Sequence, residues 1–442
     1  SLVSYVLTKV AVTVYAGGLV FQQVFGIKEL WGIDFFWIAA IGLVVLTALY
    51  TIFGGMKSVL YTSVLQTPIL LLGSLIILVL GFKELGGWDE MMRVCGAVTV
   101  NDYGDTMTNL IRSNDDANFP WLGALIGSAI IGFWYWCTDQ FIVQRVLSGK
   151  NEMEARRGTI FGAYLKLLPV FLFLIPGMIA FALHQKYIGA GGEGFLPMLA
   201  NGTANADAAF PTLVAKLLPA GVKGLVVCGI LAALMSSLAS LFNSSAMLFT
   251  IDFYKRFKPE TPEKKLVGIG QIATIVIVVL GILWIPIMRS VGDVLYTYLQ
   301  DVQSVLAPGI AAAFLLGICW KRTSAQGGMW GLISGMVIGL TRLGAKVYYS
   351  NAGEVADSTF KYLFYDMNWL FFCGWMFLFC IIVVIVVSLA TEAPTAEKIQ
   401  GLVFGTATKE QKAATRASWN HWDIIHTVII LAITAAFYWY FW

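Results

Sequence analysis

The sequence predicts an all-α integral membrane protein, and its composition and its apolar runs both support this fold class. Of the 442 residues, 58% are hydrophobic and only 12% are charged, whereas soluble domains carry about twice that charged fraction. The mean hydropathy is +0.77. Long apolar runs recur along the whole chain, and each is long enough to cross a hydrocarbon core of about 30 Å as a helix.

Eleven apolar runs are expected to form membrane-spanning helices. They lie near 3-25, 33-53, 59-82, 121-143, 159-183, 222-251, 266-288, 293-319, 327-348, 364-391 and 423-442. Sixteen lysines and arginines fall in the connections after spans two, four, six, eight and ten, and cytoplasmic loops are enriched in these residues. The chain is therefore expected to begin on the cytoplasmic side. It starts with a serine directly before an apolar run, which predicts truncation upstream.

Charge and histidine content argue against two other classes of protein. The formal net charge is only +3, so no nucleic acid is expected as a partner. The three histidines are His184, His421 and His426, and they supply neither a clustered nucleophile nor a metal set. An enzyme is therefore not predicted.

One otherwise apolar span carries a face of hydroxyl and amide side chains. In LMSSLASLFNSS, positions 236, 237, 240, 243 and 244 lie on one side of a helix. Helix packing is one interpretation, because small residues let helices approach closely and serine can bond its own i−4 carbonyl. The other is a cation site, formed by hydroxyl oxygens and by carbonyls of a broken neighbouring helix.

Charged residues within spans are the second unusual feature, because each costs about 2.5 to 3.5 kcal/mol at mid-membrane. Four of them, Lys9, Asp139, Lys166 and Asp301, are candidates for a functional role. Structural roles stay open for them, since a lysine such as Lys166 can extend to the interface and Asp139 can pair with Arg145 or cap its helix.

A polar cavity is expected among the helices. The span 293-319 contains Gln300, Gln303 and Pro308, which predicts an irregular backbone of the kind tolerated only where it lines protein or water. Amide and ammonium donors beside aromatic rings suit a neutral polyhydroxyl ligand. Tyr135 and Trp136 are expected at this cavity.

Trp134 directly precedes these two aromatic residues. Aromatic side chains in membrane proteins are most often found at the interface. Trp134 is therefore assigned to an interfacial belt.

Six segments, in order and covering nearly the whole chain, resemble the sodium/glucose cotransporters of the sodium:solute symporter family. They are ALYTIFGG, WYWCTDQFIVQR, GAYLKLLP, AFPTLVAKLLPAGVKGL, LMSSLASLFNSSAMLFTIDFYKRF and PGIAAAFLLGICWKR. The resemblance implies a LeuT-like inverted-repeat transporter fold, in which two five-helix repeats of opposite topology bind substrate near the midplane.

The resemblance also implies a division of the chain. Residues 1-82 would form the last three core helices of the first repeat, with its first helices missing, and 83-120 an extracellular loop. Residues 121-320 would form the second repeat. Residues 321-442 would form peripheral helices, with a cytoplasmic loop at 392-421.

The resemblance implies a sodium site on the side of the helix that carries positions 236, 237, 240, 243 and 244, which is called here the hydroxyl face. Ser236 and Ser237 match the family's sodium-ligating serine pair, and Ala233 matches its backbone-carbonyl partner. Ser240 and Asn243 are then expected to pack.

The resemblance also implies a sugar site. Lys166 and Gln300 match the lysine and glutamine that bind sugar hydroxyls. Tyr135 matches the tyrosine that stacks on the sugar as the inner gate, and Trp136 is its neighbour. Lys9 occupies a first-repeat position that is lysine in animal glucose carriers and asparagine in some bacterial ones.

Two positions depart from the family pattern. Ser63 stands where relatives usually have an aspartate associated with a second cation site, which weakens a two-sodium stoichiometry. Gly132 replaces a common asparagine or threonine, which removes one sugar contact.

The expected function is therefore sodium-coupled symport of a neutral, glucose- or galactose-like sugar by alternating access. The partners would be Na⁺, the sugar and the lipid bilayer, in a bacterial inner membrane because loop cysteines are scarce. A sodium-coupled polyol, inositol or sialic acid transporter, and a non-transporting sugar sensor or leak channel, are the alternatives.

Overall fold

The computed structural model describes residues 2–199, 202–289, 295–351 and 356–441, and these residues are mostly helical. The helices are α1 (Leu2–Phe25), α2 (Phe35–Leu85), α3 (Trp88–Gly96), α4 (Trp121–Cys137), α5 (Gln140–Leu147), α6 (Glu152–Pro169), α7 (Ile175–Gly189), α8 (Ala209–Leu217), α9 (Ala220–Met247), α10 (Lys255–Phe257), α11 (Glu263–Arg289), α12 (Leu295–Cys319), α13 (Ala325–Asn351), α14 (Thr359–Lys361), α15 (Trp369–Ala390), α16 (Ala396–Ile399), α17 (Lys409–Ala417) and α18 (His421–Tyr440). A short antiparallel pair, β1 (Glu29–Leu30) and β2 (Ile33–Asp34), precedes α2. π-helical segments at Val170–Leu174, Leu248–Tyr254 and Tyr362–Asp366 continue α6, α9 and α14.

Most of the predicted spans meet a requirement of length and composition within the described residues. Seven helices of the described chain are long and apolar enough to cross a membrane, and the pair α4 and α5, bent by 46°, would be an eighth. The other three predicted spans also lie in helices, namely α1, Phe35–Leu49 and α13. Phe35–Leu49 and Leu60–Leu85 belong to the same helix, α2, whose side chains at 52–59 lie outside those that the structure describes, and α13 is rich in glycine and carries Arg342 and Lys346, which lower its hydropathy.

Spans two and three are not separated by a connection. The sequence predicts a cytoplasmic turn at Lys57, but α2 runs without interruption for 51 residues and contains Pro68. The side chain of Lys57 lies outside those that the structure describes. Since a helix rises about 1.5 Å per residue, α2 is longer than one membrane crossing requires.

The chain divides into two compact units. The first, called here the N-terminal unit, contains Leu2–Thr108 and Leu165–Leu295. Helices α1, α2, α7, α8, α9 and α11 pack together in it. Gly229 lets α9 approach α2 closely, because a Cβ there would lie 3.0 Å from the Ile69 side chain and 3.5 Å from the backbone nitrogen of Leu70.

The second unit, called the C-terminal unit, contains Asn109–Tyr164 and Tyr296–Trp442. In it α15 packs against α4 and α13. Gly127 of α4 lies against the backbone of α15, where an added Cβ would be 2.7 Å from the Leu370 carbonyl oxygen. Small residues at such contacts are typical of membrane helix pairs.

Candidate functional site

The hydroxyl face of α9 contacts α2 at the predicted sodium site. Ser236 is buried, and its Oγ lies 2.6 Å from the Oγ of Ser63 on α2. Ser237 is half-buried, and Ala233 lies one turn earlier on the same helix. A hydroxyl oxygen has two lone pairs, so the Ser63 and Ser236 oxygens can bond to each other and still face a cation.

The remaining serines of this face bond to their own helix. The Ser240 hydroxyl donates to the Ser236 carbonyl oxygen at 3.0 Å, and the Ser244 hydroxyl donates to the Ser240 carbonyl oxygen at 2.8 Å. Both residues are buried. These i−4 bonds satisfy the hydroxyls within the packed helix, which agrees with a packing role for Ser240.

The helix break lies between α4 and α5, and the predicted irregularity in span 293-319 is wrong. The Thr138 hydroxyl donates to the Trp134 carbonyl oxygen at 2.7 Å. Asp139 is the N-cap of α5 and accepts from the Phe141 backbone N–H at 3.1 Å. These polar side chains satisfy backbone groups that the break frees. By contrast, α12 is continuous through Pro308.

The aromatic cluster at the end of α4 differs from the prediction. Trp134 is only 2% exposed, so its assignment to an interfacial belt is wrong and it belongs to the interior of the C-terminal unit. Tyr135 is half-buried, and Trp136 is 51% exposed. The Tyr135 and Trp136 rings meet edge to face, with centroids 5.3 Å apart.

Gln300 and Asp301 lie on α12 in the C-terminal unit. The Gln300 Nε2 donates to the Tyr296 hydroxyl at 2.9 Å. Asp301 pairs with two residues of α13, because its Oδ2 lies 2.6 Å from Lys346 Nζ and its Oδ1 lies 3.7 Å from Arg342 Nη2. The sequence identified Asp301 as an unusual charge but did not identify either partner.

The two predicted lysines differ in burial. Lys9 on α1 is 8% exposed, and its carbonyl accepts from the Thr13 hydroxyl at 2.8 Å. Lys9 is therefore an interior residue of the N-terminal unit. Lys166 on α6 is exposed, as a residue that extends toward an interface or an open cavity would be.

The predicted site residues are divided between the units. Ala233, Ser236, Ser237, Lys9 and Lys166 lie in the N-terminal unit, and Tyr135, Trp136 and Gln300 lie in the C-terminal unit. Within the described residues, no group of three or more His, Cys, Asp or Glu side chains could hold a metal ion. The oxygen-rich face of α9 is the candidate site for a hard monovalent cation, because its hydroxyl oxygens carry lone pairs that can face an ion.

Comparisons with known proteins identify the family to which the chain belongs. A family model described as the sodium:solute symporter family matches residues 1–335. The chain is 35% identical to sodium/myo-inositol cotransporter 2 of Homo sapiens, with 91% of this chain and 60% of that protein covered. It is 34% identical to a sodium/mannose cotransporter of Bos taurus, with 100% of this chain and 76% of that protein covered. It is 36% identical to sodium/glucose cotransporter 1 of Ovis aries, with 89% of this chain and 60% of that protein covered.

A solved structure shares the fold. A Na⁺-coupled sialic acid symporter in a substrate-bound outward-open state matches with a TM-score of 0.63 and 20% identity, over 88% of this chain and 74% of that chain. The predicted LeuT-like inverted-repeat fold is therefore confirmed. The assignment of 1-82 and 121-320 to the two repeats stays a prediction. The chain spans 60% of the length of the human myo-inositol and sheep glucose cotransporters.

Proposed function

Because the chain belongs to the sodium:solute symporter family, we propose that it carries the sodium site and part of the solute site of a sodium-coupled symporter for a neutral sugar. It is a multi-pass membrane protein of a transporter family and not an enzyme. The observation that carries the proposal is the hydroxyl face of α9, on which Ser236 meets Ser63 at 2.6 Å in an otherwise apolar helix.

Sodium would be held by the hydroxyls of Ser236 and Ser237 with the Ala233 carbonyl oxygen. Hydroxyl oxygens have lone pairs that can coordinate Na⁺, and backbone carbonyl oxygens coordinate Na⁺ near the midplane in transporters with inverted repeats. Sodium favours one state of the carrier only by binding that state more tightly than the other. Sodium binding would favour the outward-open state, and sugar binding would then allow the change to the inward-open state.

The solute would be bound by Lys166, Gln300, Tyr135 and Trp136, with Lys9 as a further contact. Ammonium and carboxamide groups donate to hydroxyl oxygens, and a site built to bond hydroxyls strongly penalises a solute that lacks them. Arg342 is buried against two carbonyl oxygens and Asp301, so this arginine is already engaged within the C-terminal unit. That arrangement favours a neutral solute over a carboxylate such as sialic acid.

A polyol or inositol is the second candidate solute, since the chain is similar to a human sodium/myo-inositol cotransporter. The location we propose is a bacterial inner membrane. A sensor or leak channel would use the same residues without coupling.

The test is solute uptake by the complete protein that contains this chain, reconstituted in proteoliposomes. We expect glucose or galactose to accumulate above its external concentration when sodium is higher outside, and to lose that accumulation when the membrane is depolarised. Equilibration without accumulation would indicate a leak, and accumulation of inositol alone would replace the sugar as solute. Absence of any sodium-dependent uptake would contradict the proposal.

A further inference from the structure

The carboxylate of Asp301 holds α12 against α13 next to the proposed sugar-binding glutamine. Its Oδ2 accepts from Lys346 Nζ at 2.6 Å, and its Oδ1 lies 3.7 Å from Arg342 Nη2. The side chains of Asp301 and Lys346 are 14% and 22% exposed, and that of Arg342 is 1% exposed. The contact is therefore largely shielded from solvent, so water and salt screen the attraction between these charges less than at the surface.

Arg342 is also held by two carbonyl oxygens and an aromatic ring. Its Nη2 donates to the Met367 carbonyl oxygen at 2.7 Å, and its Nη1 donates to the Leu363 carbonyl oxygen at 3.3 Å. The guanidinium also lies 4.1 Å above the Phe372 ring. These contacts tie the cation to the chain between α14 and α15, so Asp301 meets a positive charge that cannot move freely.

Gln300 and Asp301 are adjacent on α12, and their directions are linked. Successive residues of an α-helix point about 100° apart, so holding Asp301 against α13 fixes the rotation of α12 and hence the direction of Gln300. The Gln300 side chain is further held by the Tyr296 hydroxyl one turn earlier. The Ser304 hydroxyl bonds the Asp301 carbonyl oxygen at 2.6 Å.

We propose that Asp301 is a positioning residue, which through its ion pair with Lys346 and its contact with Arg342 aims the carboxamide of Gln300 at the hydroxyl groups of the solute. The proposal rests on the proposed role of Gln300 in binding that solute. Asp301 itself does not touch the solute. It acts by setting where the donor and acceptor of its neighbour point.

The first test is the kinetics of sodium-dependent uptake by the complete protein. Asp301→Asn keeps the shape and removes the charge, and Lys346→Met removes the partner. Each is expected to raise the half-saturating solute concentration at least threefold, with the maximal rate and the half-saturating sodium concentration changed less than twofold. Because both variants break the Asp301–Lys346 contact, the double variant should be no worse than Asp301→Asn alone.

Two controls separate positioning from general damage. Lys346→Arg keeps the charge and should stay within twofold of the wild-type half-saturating concentration. Lys361→Met breaks the Lys361–Asp357 pair of 2.8 Å, in which the Asp357 side chain is 94% exposed. Such exposed pairs contribute little, so solute affinity should be unchanged.

The second test measures the orientation of residue 300 by its accessibility to a thiol reagent, so it does not depend on transport. Gln300→Cys is labelled with a methanethiosulfonate reagent in membranes. Mass spectrometry then compares its rate of labelling with that of native Cys319 at the end of the same helix. Adding Asp301→Asn or Lys346→Met is expected to change this relative rate at least threefold. Unchanged labelling and unchanged solute affinity in both variants would overturn the positioning role. Changed labelling without sodium-dependent uptake of any solute by the wild type would support positioning and contradict the proposed function.

Discussion

The contact between Ser63 and Ser236 limits how much positive charge the proposed sodium site could hold. Two neutral hydroxyls meet at 2.6 Å, at a position where the family resemblance implies a carboxylate. A cation in a low-dielectric interior needs an opposing charge or several good oxygen ligands. In the proposed site one sodium would be held by the serine pair and a carbonyl oxygen, whereas a second sodium would lack a carboxylate to compensate its charge.

Ser237→Ala should raise the sodium concentration for half-maximal uptake about tenfold or more, because it removes one of the few proposed ligand oxygens. The measurement is uptake at saturating solute over a range of sodium concentrations. Ser245→Ala is the matched control, since this buried hydroxyl donates to the Leu241 carbonyl oxygen of its own helix at 2.6 Å. An unchanged sodium requirement in Ser237→Ala would assign this residue to packing.

Lys166→Ala and Gln300→Ala should each abolish sodium-dependent solute uptake while leaving the protein folded. Each change removes a donor whose solute hydroxyl is then left without its partner in the site. Uptake is compared at equal amounts of reconstituted protein, and folding is checked by a single symmetric peak in size-exclusion chromatography. Wild-type uptake in both variants would reject these assignments.

Sequence patterns located the unusual side chains but not their partners. Asp301 and Ser236 stand out because a polar group in a hydrocarbon-spanning helix is costly. Their partners Lys346 and Ser63 come from other helices, 45 and 173 residues away, and no local periodicity encodes such pairs. Trp134 was misassigned for the same reason, because burial depends on which helix covers it.

Among the helices, the break between α4 and α5 is the feature that local sequence rules missed. Thr138 and Asp139 supply a hydroxyl bond and an N-cap at the bend, and such short polar residues compete with the helix backbone for hydrogen bonds. Pro308, a stronger helix breaker in soluble proteins, leaves α12 continuous. In membranes a proline is accommodated where neighbouring groups satisfy the freed carbonyl.

Gly127→Ala should destabilise the contact between α4 and α15 by about 1–3 kcal/mol, the usual cost of overpacking. Its new Cβ would meet the Leu370 carbonyl oxygen at 2.7 Å, and backbone cannot give way as a side chain can. The midpoint of thermal unfolding in detergent should fall. Gly132→Ala on the same helix is the control, because nothing lies within 4 Å of its added Cβ, and it should be neutral or stabilising. Equal midpoints for the two variants would contradict this packing.

For the molecule as a whole, the number of coupled ions sets the limit of accumulation. One sodium crossing about 100 mV supplies about 2.3 kcal/mol, and a tenfold concentration gradient adds about 1.4 kcal/mol. The sum of about 3.7 kcal/mol supports roughly 500-fold accumulation of a neutral solute.

Steady-state accumulation in proteoliposomes under those gradients should therefore approach but not exceed about 500-fold, since Ser63 provides no carboxylate for a second ion. Internal and external solute are measured isotopically at imposed potentials. Ser63→Asp tests the same point, because it restores a carboxylate next to Ser236 and should steepen the dependence of uptake on sodium. Accumulation far above this limit in the wild type would require a second sodium.

At this scale the sequence was most informative about the fold. Long apolar runs and six ordered motifs identified a helical transporter, since hydrophobic length and motif order survive at about one-third identity. Hydropathy alone does not set the number of spans, because α13 is rich in glycine and carries Arg342 and because α2 is continuous where the sequence predicts a turn.

The most direct test of the sodium site is binding of ²²Na⁺ to the purified complete protein, measured by scintillation proximity. The wild type should bind sodium saturably with one ion per chain, and the double variant Ser236→Ala with Ser237→Ala should lose that binding while Ser245→Ala retains it. Saturable binding of equal affinity in the double variant would place the ion elsewhere and contradict the role of the α9 serines.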